Sequence, residues 1–219
     1  MADNTEKKSL FRPTLIVAGL TSLSRVVGLI RDILISNVLG VSYITDIFIV
    51  ALRIPNIFRR ITAEGAFSAA FIPMFSKKLI SNKISAIKFS EDILFMSLII
   101  MISLTSVLQI FMPFFIFFIA YGFTNDPIKY DLAINFSRIT APYILLISLS
   151  SIGIAILNSL GRYFASSFGP VIFNAVLVFI LILPINNISS IGYLLSFGVT
   201  FSGIIQFLLI FYFLSKSGY

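Results

Sequence analysis

The sequence predicts an all-α, polytopic membrane protein with six transmembrane helices, and three observations lead there. Charged residues make up 11% of the chain, against about 25% in soluble domains. Hydrophobic residues make up 58%, with a mean hydropathy of +1.03. The apolar residues also fall into uninterrupted runs, several as long as the ~20 residues that cross a bilayer core as a helix.

Residues 1–12 are a polar leader with Lys7, Lys8 and Arg12. The first span is expected at 13–39, with Gly19 and Gly28 placed for close helix approach. The run after Arg12 is broken by Arg25 and Arg31 without an A-x-A-like site, so no cleavable signal is expected. Gly40 and Ser42 mark a turn. The second span, 43–75, is longer than a bilayer needs, and Pro55 leaves the Ala51 carbonyl without its helical N–H, which predicts a kink. A Lys-rich polar loop with Lys77, Lys78, Lys83 and Lys88 follows.

The third span, 93–120, is free of charge and rich in Phe, and 121–131 reads as a turn. Pro142 predicts a kink in the fourth span, 132–160, and Gly161 and Arg162 open the next loop. Tyr163 to Ser215 carries no charge and is too long for one helix. Leu183-Pro184-Ile185-Asn186-Asn187 divides it into spans at 167–183 and 191–214. With both termini in the cytoplasm, Lys7, Lys8, Arg12, Lys77, Lys78, Lys83, Lys88, Arg162 and Lys216 lie inside and Lys129 alone lies outside, as the positive-inside rule favours.

Cysteine and histidine are absent, which excludes disulfides, Cys-based metal sites and His acid–base chemistry. No nucleophile–base pair, phosphate-binding Gly loop or metal cluster is present, so no enzyme activity, metal or cofactor is expected. The net charge of +7 lies mostly at membrane edges and within spans, so it does not point to nucleic acid.

The charges concentrate in one apolar stretch, Ser24 to Glu64, which holds Arg25, Arg31, Asp32, Asp46, Arg53, Arg59, Arg60 and Glu64. A charge at mid-bilayer costs roughly 2.5–3.5 kcal/mol, while Leu, Ile, Phe or Val returns about 0.3–0.6. Lipid exposure of the whole set is therefore untenable, and a hydrated, charged cavity is the default reading. Residues seven apart nearly coincide on a helix. Arg25 and Asp32 thus share one face of the first span, and Asp46, Arg53 and Arg60 share one face of the second. Arg31 and Arg59 lie off these stripes. Five arginines against three acids leave +2, which suits an anion, and Arg suits bidentate phosphate contacts. Arg59, Arg60 and Glu64 read alternatively as interfacial anchors, with Arg60–Glu64 an ordinary i,i+4 pair. Arg138 reads as an interface anchor. Asn158 and Asn174 read equally as cavity lining and as interhelical hydrogen-bonding groups.

At these residues the sequence resembles the MurJ/MviN lipid II flippases of the multidrug/oligosaccharidyl-lipid/polysaccharide (MOP) exporter superfamily. The matching pieces are Ser24-Arg25-Val26-Val27-Gly28-Leu29-Ile30-Arg31-Asp32 and Thr45-Asp46. Pro55-Asn56-Ile57-Phe58-Arg59-Arg60-Ile61-Thr62-Ala63-Glu64-Gly65-Ala66-Phe67-Ser68 with Phe71-Ile72-Pro73 is more specific. Ala141-Pro142-Tyr143-Ile144-Leu145-Leu146, Leu157-Asn158, Arg162 and Pro170 continue the match. The resemblance implies export of lipid II, the undecaprenyl-pyrophosphate-linked peptidoglycan precursor, across the bacterial cytoplasmic membrane by alternating access through a cationic cavity. It implies that Arg25, Arg31 and Arg59 contact the pyrophosphate and sugar, with Ser24, Arg53 and Asn56 beside them. Asp32, Asp46, Arg60 and Glu64 fall on charged positions with gating or charge-balancing roles. Arg53 stands where relatives often carry Lys.

The family has two pseudosymmetric six-helix lobes followed by two further helices, so the resemblance implies one N-terminal lobe here. Its expected partners are lipid II, membrane lipids and a second lobe, supplied in cis or in trans. Two alternatives carry other expectations: a flippase for another polyprenyl-pyrophosphate glycan, and a non-transporting scaffold that binds lipid headgroups.

Overall fold

The computed structural model describes residues 2–62 and 66–218, with side chains described within 14–61 and 67–218. Among the described residues every regular element is helical: α1 (Ala2–Val38), α2 (Tyr43–Thr62), α3 (Ala66–Ser81), α4 (Lys83–Ile110), α5 (Met112–Ile119), a 3₁₀ turn (Tyr121–Asn125), α6 (Pro127–Thr140), α7 (Pro142–Ser159), α8 (Phe164–Leu181) and α9 (Ile188–Ser215). Among the described residues, five stretches are long and apolar enough to cross a membrane: Thr14–Val38, Lys83–Ile110, Pro127–Ser159, Phe164–Leu181 and Ile188–Ser215. The chain is a polytopic membrane protein. The expected sixth span is where the count differs, because α2 has the length but carries Asp46, Arg53, Arg59 and Arg60.

Several bounds differ from the sequence expectation for identifiable reasons. The polar leader continues into α1 as one helix from Ala2. The stretch 43–75 is described as two helices with different neighbours, α2 against α6 and α3 against α4 and α7. The Lys-rich segment expected to be a loop is helical on both sides of Asn82, with Lys77 and Lys78 in α3 and Lys83 and Lys88 in α4. Helix α4 starts where the Asn82 side chain accepts a hydrogen bond from the Ile84 N–H at 2.8 Å. This is an N-cap signal readable in the sequence. The Asp126 side chain starts α6 by accepting from the N–H groups of Ile128 and Lys129, and Asn187 starts α9 by accepting from those of Ser189 and Ser190. Gly40 and Gly161 turn the chain after α1 and α7 at φ of +59° and +72°, a region that favours glycine.

Pro55 inside α2 and Pro142 and Pro113 at two helix junctions each free a carbonyl that finds a side-chain donor on a neighbour. Pro55 frees the Ala51 carbonyl inside α2, which accepts from Thr140 Oγ1 at 3.1 Å. Pro142 frees the Arg138 carbonyl at the α6–α7 junction, which accepts from Gln109 Nε2 at 2.7 Å. Pro113 frees the Gln109 carbonyl at the α4–α5 junction, which accepts from Arg138 Nε at 3.2 Å. The two junctions thus satisfy each other through one reciprocal Gln109–Arg138 pair. Lipid supplies no donors, so broken helices persist in membranes only where neighbours re-satisfy the backbone in this way. Arg138 therefore joins two helix junctions in addition to any role as an interface anchor. Thr140→Val is expected to cost about 1–3 kcal/mol by leaving the buried Ala51 carbonyl unpaired, while Thr140→Ser should cost less. Denaturant titration of the purified protein in detergent measures both.

The helices enclose two apolar cores. One joins α2, α5, α6, the start of α7, the end of α8 and the start of α9 around Ile44, Phe48, Ala51, Phe136, Ile144 and Leu195. The other joins α3, the start of α4, the end of α7 and the end of α9 around Phe71, Phe75, Ile152, Ile156 and Ile210. At Gly192, α9 meets both α2 and α6: a Cβ there would lie 2.6 Å from Phe136 Cζ and 2.8 Å from Ile44 Cγ2. Helix α1 touches the first core only with its last turns, through Leu34, Ile35 and Val38. It packs mainly on α8, and no residue of Thr14–Val38 is buried.

Candidate functional site

Helix α1 meets α8 along Ser24, Gly28 and Arg31, a stripe spaced i, i+4, i+7. Asn174 of α8, 8% exposed, occupies the crossing. Its Nδ2 donates to the Ser24 carbonyl at 3.1 Å and lies 3.5 Å from Ser24 Oγ. Its Oδ1 accepts from Arg31 Nη1 at 2.7 Å. Gly28 makes room, since a Cβ there would come within 3.3 Å of Asn174 Nδ2. Asn174 is thus the interhelical hydrogen-bonding group of the two roles left open for it. Asn158 also joins helices, accepting from Ser166 Oγ at 3.0 Å.

Arg31 is oriented from three sides. Its Nε and Nη2 donate to Asp32 Oδ1 at 3.0 and 2.7 Å, and its guanidinium lies 6.0 Å from the centre of the Phe173 ring. A guanidinium carries five N–H donors. These contacts use one on Nε and one on each terminal nitrogen, so one remains on Nη1 and one on Nη2. Arg31 is held in place by neutral Asn174 and by Asp32 and keeps one N–H on each terminal nitrogen. Its side chain is 23% exposed and that of Asp32 62% exposed.

Arg31 also lines a cleft of about 350 Å³ between α1 and α2. Arg31 and Asp32 are its charged lining residues; Ser36 and Thr45 add hydroxyls, and Ile35, Phe48, Ile49 and Leu52 supply apolar wall. The turn at Gly40 and Val41 closes one end, where Thr45 Oγ1 donates to the Gly40 carbonyl at 2.9 Å. A pre-aligned guanidinium among hydroxyls and apolar walls can take an anionic group attached to an apolar body.

The other predicted residues fall in different places. Arg25 is exposed on α1 beside the stripe that faces α8. On α2, Asp46, Arg53 and Arg60 all lie on the exposed face, and Ile44, Ile47, Ala51 and Ile54 lie on the buried one. Asp46 pairs with Lys129 Nζ at 2.8 Å, and Arg53 Nη1 reaches the Ile119 carbonyl at 3.5 Å. Both contacts tie α2 to the chain around the 3₁₀ turn and do not enter the cleft. Asn56 and Arg59 are half-buried farther along α2. Glu64 lies outside the described residues. The structure therefore brings Ser24, Arg31 and Asp32 together with Asn174, and distributes the rest along α1 and α2.

Sequence reasoning did not pair Lys129 with Asp46, nor Phe173 with Arg31, because each pairing joins segments far apart in the chain. Asp46 is 59% exposed in this pair, and exposed ion pairs contribute about 0–1 kcal/mol. Asp46→Asn is accordingly expected to shift stability by less than ~1 kcal/mol, read from thermal unfolding in detergent.

The comparisons with known proteins agree on one family. The model for "Lipid II flippase MurJ" matches residues 35–219. A probable lipid II flippase MurJ of Rhizobium meliloti is 36% identical over 203 residues, covering 90% of this chain and 38% of its own length. That of Rickettsia prowazekii is 35% identical over 210 residues, covering 95% and 41%. A solved structure of lipid II flippase MurJ in an inward closed conformation superposes with a TM-score of 0.75 at 27% identity, covering 90% of this chain and 41% of that one. The chain spans about two-fifths of the length of these relatives. With the family model matched across most of the chain, and the helical fold matched as well, the chain belongs to the MurJ family.

Proposed function

We propose that this chain is the N-terminal lobe of a lipid II flippase of the bacterial cytoplasmic membrane, serving cell-wall peptidoglycan assembly. The observation that carries the proposal is the Arg31 cleft in a chain of this family. Arg31 lines the cleft and keeps an N–H on each terminal nitrogen for a pyrophosphate, on a charged α1 that packs mainly on α8. In this reading Arg31 contacts the pyrophosphate, and Arg25 and Arg59 contact the remainder of the headgroup. Ser24, Arg53 and Asn56 assist, and Asp32, Asp46, Arg60 and Glu64 balance charge or gate. The polyprenyl tail stays in lipid along the exposed apolar side of α1, where Leu29, Ile30 and Ile33 face outward.

Six crossings with both termini cytoplasmic complete the arrangement, α2 crossing beside protein and water instead of lipid. A second lobe supplies the other wall of the cavity and the body against which this one rocks. The test is rescue of a flippase-depleted strain, scored as lipid II exposed at the cell surface, by this chain alone and with a separately expressed second lobe. Rescue only with the second lobe is expected. Rescue by the chain alone would replace the two-lobe reading with a homodimer, and no rescue by a stable, inserted chain in either case would favour a non-transporting role.

A further inference from the structure

A second pocket, of about 300 Å³, opens where the α7–α8 turn, the end of α9 and the described start of α1 meet. We infer that it binds one anionic phospholipid, with the phosphate at Arg162 and Lys216 and an acyl chain against Ile16, Leu157, Phe164 and Phe213. Arg162 follows the left-handed Gly161, and Lys216 is the C-cap of α9, so the two cations stand where helices end. Both are exposed. Arg162 Nη1 donates to Ser217 Oγ, which ties the two chain segments into one rim.

Behind the rim the wall is apolar. The Phe164 and Phe213 rings lie 5.9 Å apart, and Leu157 is fully buried. Among the described residues, no acidic side chain lines the pocket. The chemistry selects the occupant: basic pockets between helix ends bind anionic headgroups, and an apolar wall beside the cations suits a molecule that carries its own chains. A free phosphate would use only the rim. The pocket lies about 14 Å along α8 from Asn174, nine residues at helical rise, so it is distinct from the Arg31 cleft.

The experiment is native mass spectrometry of the full chain in mild detergent, titrated with phosphatidylglycerol or phosphatidylcholine. Wild type is expected to hold phosphatidylglycerol roughly tenfold more tightly. The Arg162→Gln/Lys216→Gln variant should lose that preference, and a Lys77→Gln/Lys78→Gln variant of equal charge should keep it. Equal binding of the two lipids by wild type, or equal loss in both variants, would overturn the site. Should the first variant fold poorly, glycerol phosphate decides on wild type. Failure to displace the lipid at equal concentration supports the site, and displacement would overturn the role of the apolar wall.

Discussion

Arg31→Ala is expected to abolish rescue of a flippase-depleted strain by the chain co-expressed with a second lobe, and to weaken lipid II binding by about 10- to 100-fold. A hydrogen bond to a charged group contributes roughly 1.5–3 kcal/mol, which corresponds to about that fold-change at the partly buried Arg31. Arg31→Lys should recover only part of the loss. The ammonium keeps the charge, but it cannot hold Asn174, Asp32 and a pyrophosphate together through a planar fork. Folding should survive the alanine change, since Arg31 belongs to neither apolar core. Surface-exposed lipid II and the thermal midpoint in detergent separate the two effects. A large fall in the midpoint would show that Arg31 is chiefly a structural link between α1 and α8.

Replacing Asn174 splits stability from function. Asn174→Leu removes both hydrogen bonds at the α1–α8 crossing and is expected to cost about 1–2 kcal/mol. Rescue should fall with it as the guanidinium loses its alignment. Asn174→Asp is expected to cost less than Asn174→Leu, because the ion pair it forms with Arg31 Nη1 offsets part of the loss of the Nδ2–H that donates to the Ser24 carbonyl. Rescue should still fall, since a second acid beside Asp32 cancels the positive charge that attracts the pyrophosphate. An inactive Asn174→Asp protein whose thermal midpoint stays above that of Asn174→Leu is the outcome specific to a neutral positioning residue. If the aspartate variant rescued as well as wild type, Asn174 would be a packing residue alone.

How much the sequence reveals depends on whether a feature is local. The charge-poor runs were sufficient for a helical membrane fold, and the charged motifs of α1 and α2 for the family. Pro55 announced that the Ala51 carbonyl would be orphaned, yet nothing near Ala51 could show that Thr140 would satisfy it. The same limit hid the Gln109–Arg138 exchange, which joins residues 29 apart, and left Arg138 reading as a surface anchor. Pro113 and Asn82 are different, because both signals are local. A proline two residues inside a Phe-rich run marks the α4–α5 break, and an asparagine before Lys83 marks the start of α4. Hydrophobicity outweighed both.

Within the site, seven-residue spacing correctly set Arg31 off the Arg25–Asp32 face, but the direction it points depends on α8, whose Asn174 is 143 residues away. Asp46, Arg53 and Arg60 do share a face, although the first two spend contacts on the α5–α6 region.

The most direct measurement is photo-crosslinking of a diazirine-bearing lipid II headgroup to the inserted protein, with the attachment sites mapped by peptide sequencing. The account predicts labels clustered between Arg31 and Leu52, around Ile35, Ser36, Thr45 and Ile49, displaced by unlabelled lipid II and lost in Arg31→Ala. Labels confined to other helices, or labels in the cleft that persist unchanged in Arg31→Ala, would contradict it.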